Sequence, residues 1–151
     1  MSETPQSLRI QTRHAELDVV EVAEALPGTG EIMRSVGHCF AMSWHAVQGG
    51  NWDLSAYYLR RTRGLLQGLV VTRPKYAAQL TEFDARFLEP LYASVLQRHL
   101  RQYEARFAEA SDQANRYHVD TGHPYIRWSV PPDPPDQGLD LSSDGRAGGR
   151  T

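Results

Sequence analysis

The residues best suited to chemistry cluster in "QANRYHVDTGHPYIRW" (113–128), where His118 and His123 bracket a Thr-Gly turn beside Tyr117, Tyr125 and Trp128. A neutral imidazole can ligate a transition metal or a haem iron. His118 falls on one helical stripe with Tyr103, Phe107, Ala110, Ser111 and Ala114, so it is expected to point inward near a helix C-terminus. Two readings follow. It is either a metal or haem ligand, or a capping side chain that meets the last carbonyls and the negative end of the helix dipole.

His38 and His45 are further candidate metal ligands. Seven residues separate them, which is two helical turns, about 10 Å along the axis. They cannot share one small ion, because sites built on a single helix use three- or four-residue spacing. Each could instead face a large planar ligand, or one could meet His118 across the interior. A cluster of Arg60, Arg61, Arg63, Arg73 and Lys75 lies where no acidic residue occurs between Leu54 and Thr81. It is either a solvated face or a docking stripe for an anion. Enzyme signatures are thin. The chain has no Gly-rich phosphate loop, no HExxH and no serine elbow, and it reads more readily as a binding module than as an enzyme.

Helices must position these side chains. "GEIMRSVGHCFAMSWHAVQ" (30–48) repeats Ile32, Val36, Phe40, Ser43 and Val47 at helical spacing. "GGN" stops that helix, and Asn51 is a good N-cap for a second over 52–71, with Leu54, Tyr58, Leu65 and Leu69 inward. Pro74 ends the second helix. A third is expected over 80–97, kinked or restarted near Pro90, and a fourth over 100–120. Residues 14–28 read as a short helix or a marginal strand. The expected organisation is all-α: an antiparallel up-down four-helix bundle over 28–132, an N-terminal arm over 1–27, and an extended Pro-rich, disordered tail over 133–151.

"GEIM" (30–33), Trp44, "GNW" (50–52) with Tyr57, Tyr103 and Phe107, "NRYH" (115–118) and "TGHPY" (121–125) together resemble the small cytochrome c-like bundle proteins, related in architecture to cytochrome c′. In that family the fourth helix ends in a C-N-x-C-H haem-attachment motif. Here the matching residues are Ala114-Asn115-Arg116-Tyr117-His118, so both thioether anchors are missing. Cys39, the single cysteine, lies on another helix. Cys39-Phe40 also stands where the family commonly has an arginine-histidine pair.

The resemblance implies a haem scaffold that has lost its covalent cofactor. Phe40, Trp44, Phe107 and Tyr117 would refill the core, leaving a module for a small apolar ligand or a protein partner with no bound cofactor. The alternative it implies is non-covalent haem b, with His118 as axial ligand and Tyr117, Arg116, Phe40, Trp44 and His123 around it. A second alternative is a small metal protein or enzyme using His118, His38 or His45. Pairing through the first two helices into a homodimer is a further implication of the resemblance.

Composition bounds the partners. The formal charge of −2 points to neither nucleic acid nor an anionic membrane. No apolar run is long enough to span a bilayer, and "MSETPQSLRI" lacks the features of a secretory signal. A cytoplasmic protein is expected.

Overall fold

The structure, a computed structural model, describes residues 8–134 and 138–142. The chain is mostly helical, with one two-stranded hairpin. In the hairpin β1 (Arg9–Gln11) pairs antiparallel with β2 (Glu16–Asp18). Thr12 closes its turn, the hydroxyl oxygen accepting from the backbone N–H of His14 and Ala15. Residues 9–11 are therefore paired strand within the expected N-terminal arm, while residues 1–7 lie outside the described residues. Helix α1 (Val19–Glu24) starts at a capping box formed by Asp18 and Glu21. The stretch 14–28 is thus strand and then helix.

Helices α2 (Thr29–Gly49) and α3 (Trp52–Thr72) form a helical hairpin with the boundaries the punctuation predicts to within a residue. Gly50 ends α2 at a φ of 87°, and the Asn51 side chain accepts from the Leu54 N–H at 3.1 Å. On α2 the expected stripe is buried at Val36, Phe40, Ser43 and Val47. On α3 the buried face is rotated from expectation. Ser55, Leu59, Thr62, Leu66 and Leu69 are buried, while Leu54 and Leu65 are half-buried at its edge. The reason is hydrogen bonding. Ser55 donates to the Ser43 carbonyl and Thr62 to the Tyr58 carbonyl, so these small hydroxyls are satisfied inside and let α2 come close.

A 3₁₀ turn (Pro74–Tyr76) leads into α4 (Ala77–Phe83), a π-helical turn (Asp84–Leu88) and α5 (Glu89–Leu96). The interruption expected at Pro90 is taken up just before it. Proline lacks an N–H and crowds the preceding turn, and the wide π turn accommodates it. Helix α6 (Leu100–Asp120) has the predicted limits. Arg98, at a φ of 53°, supplies the turn that no glycine provides, and His99 Nδ1 caps α6 by accepting from the Gln102 N–H.

The helices share one core that includes Phe40, Leu59, Leu66, Leu88, Tyr103 and Phe107. Phe40 and Phe107 stack at 4.3 Å with 10° between their planes, and Trp44 lies 4.9 Å from Phe107. The Tyr103 hydroxyl donates to Ser43 Oγ at 2.8 Å, because Ser43 uses its own hydrogen on the Phe40 carbonyl.

Part of the arginine cluster is structural. Arg63 pairs with Asp84 at 2.7 Å, Arg60 donates to the Tyr92 hydroxyl, and Arg73 donates to Thr29 Oγ1 and the Pro27 carbonyl.

Within the stretch expected as a disordered tail, residues 138–142 instead dock on the α2–α3 corner. Gly50 and Ser142 form an antiparallel bridge, Asn51 donates to the Asp140 carbonyl at 2.9 Å, and Leu141 packs on Cys39, Met42 and Tyr58. Residues 135–137 and 143–151 lie outside the described residues. A Cβ on Gly49 would collide with the Leu141 carbonyl. We therefore expect Gly49→Ala to undock this segment and speed thiol labelling of Cys39 about tenfold, the factor that about 1.4 kcal/mol of weakened docking produces. An unchanged labelling rate would show that Leu141 does not cover the thiol.

Candidate functional site

The opening stretch builds a strap. Helix α6 ends in a paired 6→1 and 5→2 hydrogen-bond motif, with the His123 N–H donating to the His118 carbonyl at 2.7 Å and the Gly122 N–H to the Val119 carbonyl at 3.1 Å. Gly122 sits at a φ of 85°, a conformation that glycine adopts without strain. This is why Thr-Gly-His follows the helix: the motif turns the chain through a sharp reversal. Residues 124–128 then run back along α6.

Three side-chain contacts hold the strap down. The Asn115 amide grips the Trp128 backbone from both sides, donating to its carbonyl at 2.9 Å and accepting from its N–H at 2.6 Å. His118 Nδ1 lies 3.1 Å from the Ile126 carbonyl. A carbonyl only accepts, so Nδ1 carries the proton and Nε2 of the neutral ring carries none. The Trp128 indole stacks on Phe40 at 4.7 Å and meets His118 edge-on at 6.0 Å.

Beneath the strap is a cavity of about 660 Å³. Its walls come from the first half of α2, the end of α3, α4 and the last turns of α6, including Met33, Val36, Leu66, Leu69, Leu80 and Phe83. Ala114 and Tyr117 are on this wall with His118. The strap contributes Tyr125, Ile126 and Trp128. Volume and lining fall within the range of small-molecule pockets, about 300–1,000 Å³ and mainly apolar.

The predicted site residues divide clearly. His118 and Tyr117 line the cavity, and exposed His123 lies at its rim with Nδ1 2.7 Å from the Tyr125 hydroxyl. Phe40 and Trp44 do not line it. Phe40 supports Trp128 from below, and Trp44 belongs to the core beside Phe107. Arg116 is exposed and also outside the lining, because it points off the opposite side of the helix. His38 is exposed and packs edge-on against Tyr58, and His45 is buried with Nε2 lacking a hydrogen-bond partner. His38, His45 and His118 are not brought together. Among the described residues no three His, Cys, Asp or Glu side chains are grouped to hold a metal ion, and no helix is long and apolar enough to cross a membrane.

Sequence reasoning missed the strap clamp at Asn115 and the charged wall residue Arg34. Asn115 was legible only through the resemblance at 115–118. Arg34, with Glu31 one of two charged residues on a largely apolar helix, carried a faint signal.

Burial pushes the His118 imidazole below its ordinary pKa of 6.5, with His123 adding to the effect and the Ile126 carbonyl opposing it. The folded chain therefore binds this proton less readily than the unfolded chain. The resulting stability is complete above pH 6.5 and is lost as pH falls through that value toward the folded-state pKa. We expect the urea midpoint to drop across this window more steeply in the wild type than in His118→Gln. Equal slopes would mean that His118 titrates normally. For Tyr117, burial and then the nearby Glu82 carboxylate raise the phenol, so it stays protonated wherever the protein is folded near neutrality.

No family model, no curated protein and no solved structure matches this chain.

Proposed function

We propose that this chain is an up-down four-helix bundle, a cytochrome-like scaffold without covalent haem attachment, that binds a small apolar molecule in the strap-covered cavity. The observation that carries the reading is the cavity itself: an apolar space of about 660 Å³ kept open beneath a segment that three side-chain contacts hold in place. A protein that needed only to close its core would gain by filling such a space, since unfilled apolar volume costs stability.

Gly37 offers a clean test. It lines the cavity, and a Cβ there would meet no atom within 4 Å. Gly37→Phe is expected to place a ring in the cavity and to raise helix propensity at the same time. Calorimetric titration with phenylnaphthylamine, a neutral apolar fluorophore, should give saturable binding to the wild type. The variant should stay folded and lose that binding. Equal binding by both proteins would reject the cavity as the site.

One observation favours a second reading, a non-covalent haem b protein. A metal-ligating histidine characteristically donates its other ring N–H to a carbonyl, and His118 does so to Ile126 from the wall of this cavity. The donor set fits haem to that extent: one neutral imidazole and apolar walls, with Ala114 and Tyr117 offering no thiol. His118 would hold the iron, which would supply gas binding or electron transfer. Arg34 is better placed than Arg116 to meet a propionate. Added haem should then give a Soret band that disappears in His118→Ala. A homodimer through α2 and α3 belongs to the same scaffold reading. Exposed Tyr57 and Val71 on α3 leave apolar surface for it, and sedimentation equilibrium decides it.

A further inference from the structure

The cavity is electrostatically one-sided. Among the described residues no aspartate or glutamate lines it, the one guanidinium in the lining is that of exposed Arg34, and Arg34 makes no ion pair. The first turn of α2 forms part of the same wall through Thr29 and Gly30. Gly28, its N-cap, contributes no side-chain cap, so the positive end of the helix dipole is not screened by a capping group. Arg73 stands immediately behind this turn. It donates to Thr29 Oγ1 and the Pro27 and Thr72 carbonyls, and among the described residues it makes no ion pair with a carboxylate. Glu31 lies on this turn but does not line the cavity. Leu66, Leu69, Phe83 and Ala114 supply apolar lining to the same space.

From this arrangement we infer that the cavity selects apolar molecules carrying one anionic group, with the apolar body among the leucines and Phe83 and the anion at Arg34 and the start of α2. A free aliphatic carboxylate is the simplest member of the class. A neutral apolar molecule would fill the same space but leave Arg34 without a partner. A cationic amphiphile would meet like charge at Arg34, while the Glu82 carboxylate, beside Tyr117, lies outside the lining. The inference rests on the cavity being a ligand site at all, and it adds the charge of the ligand.

Two fluorophores with the same ring system separate the two claims. Phenylnaphthylamine is neutral, and anilinonaphthalenesulfonate adds one anionic group to it. The wild type should bind the sulfonate about tenfold more tightly than the neutral probe, and added salt should shrink the ratio, because a charge pair at an exposed mouth is screened. Dodecanoate should displace the sulfonate at lower concentration than dodecanol. Arg34→Glu should bring the ratio of the two affinities to one or below. Measuring that ratio within one variant cancels any general change in the cavity.

If both probes bind the wild type equally, if the neutral one binds better, or if Arg34→Glu leaves the ratio unchanged, the inference on charge is overturned and the cavity reading stands. If neither probe binds, or if Gly37→Phe binds both as the wild type does, the cavity reading fails and this inference fails with it.

Discussion

Phe107→Ala is expected to cost about 3–5 kcal/mol of stability, the range for removing a fully buried phenylalanine. Phe107 is 1% exposed and sits between three rings: Phe40 in near-parallel contact, Trp44 and Tyr103. Truncation removes the buried area and the ring contacts together, each aromatic pair being worth about 0.5–1.5 kcal/mol beyond its area. A domain of this size holds about 5–15 kcal/mol in total, so the variant should be marginal, and its urea midpoint measures the loss. Phe107→Leu, which keeps most of the volume, should cost much less. The effect reaches the site. Phe40 is stacked between Phe107 and Trp128, so loss of Phe107 lets Phe40 move and removes the floor under the strap. A loss below about 1 kcal/mol would mean that the ring cluster repacks freely and does not support Trp128.

Asn115→Ala should release the strap. The amide makes both hydrogen bonds to the Trp128 backbone. The expected cost is about 1–3 kcal/mol, depending on whether the freed Trp128 groups stay covered or swing out to water. Amide exchange tells these apart, because the Trp128 N–H should exchange far faster in the variant if the strap opens. Asn115→Asp keeps the acceptor and removes the donor, so it should protect that N–H while losing the bond to the Trp128 carbonyl. Ligand affinity should fall with Asn115→Ala, since Trp128 and Ile126 form part of the cavity wall. Unchanged exchange at Trp128 would show that Phe40 stacking and the His118–Ile126 bond hold the strap by themselves. The two variants probe one device from opposite sides: Phe107 from the core, Asn115 from the helix surface.

Local signals determined the helices. Gly49-Gly50-Asn51, Pro74 and the stripe through Tyr103, Phe107 and Ala114 mark α2, α3 and α6 to within a residue, because caps, breakers and helical periodicity act over a few neighbouring positions. The N-terminal hairpin was half legible: 14–28 offered a marginal strand, but its pairing with 9–11 depends on one threonine turn between short, largely exposed strands. The buried face of α3 was misplaced because Ser55 and Thr62 read as polar until their carbonyl partners are known. His118 and Tyr117 could be singled out from type and spacing. Their role could not, since the cavity is assembled from α2, α3, α4 and α6, whose wall leucines look in sequence like any core residue. Only tertiary structure decided that these walls stand apart, that residues 138–142 return to the α2–α3 corner, and that Arg34 lines the space with no ion pair among the described residues. Contacts between residues distant along the chain decide all three, and no local pattern encodes them.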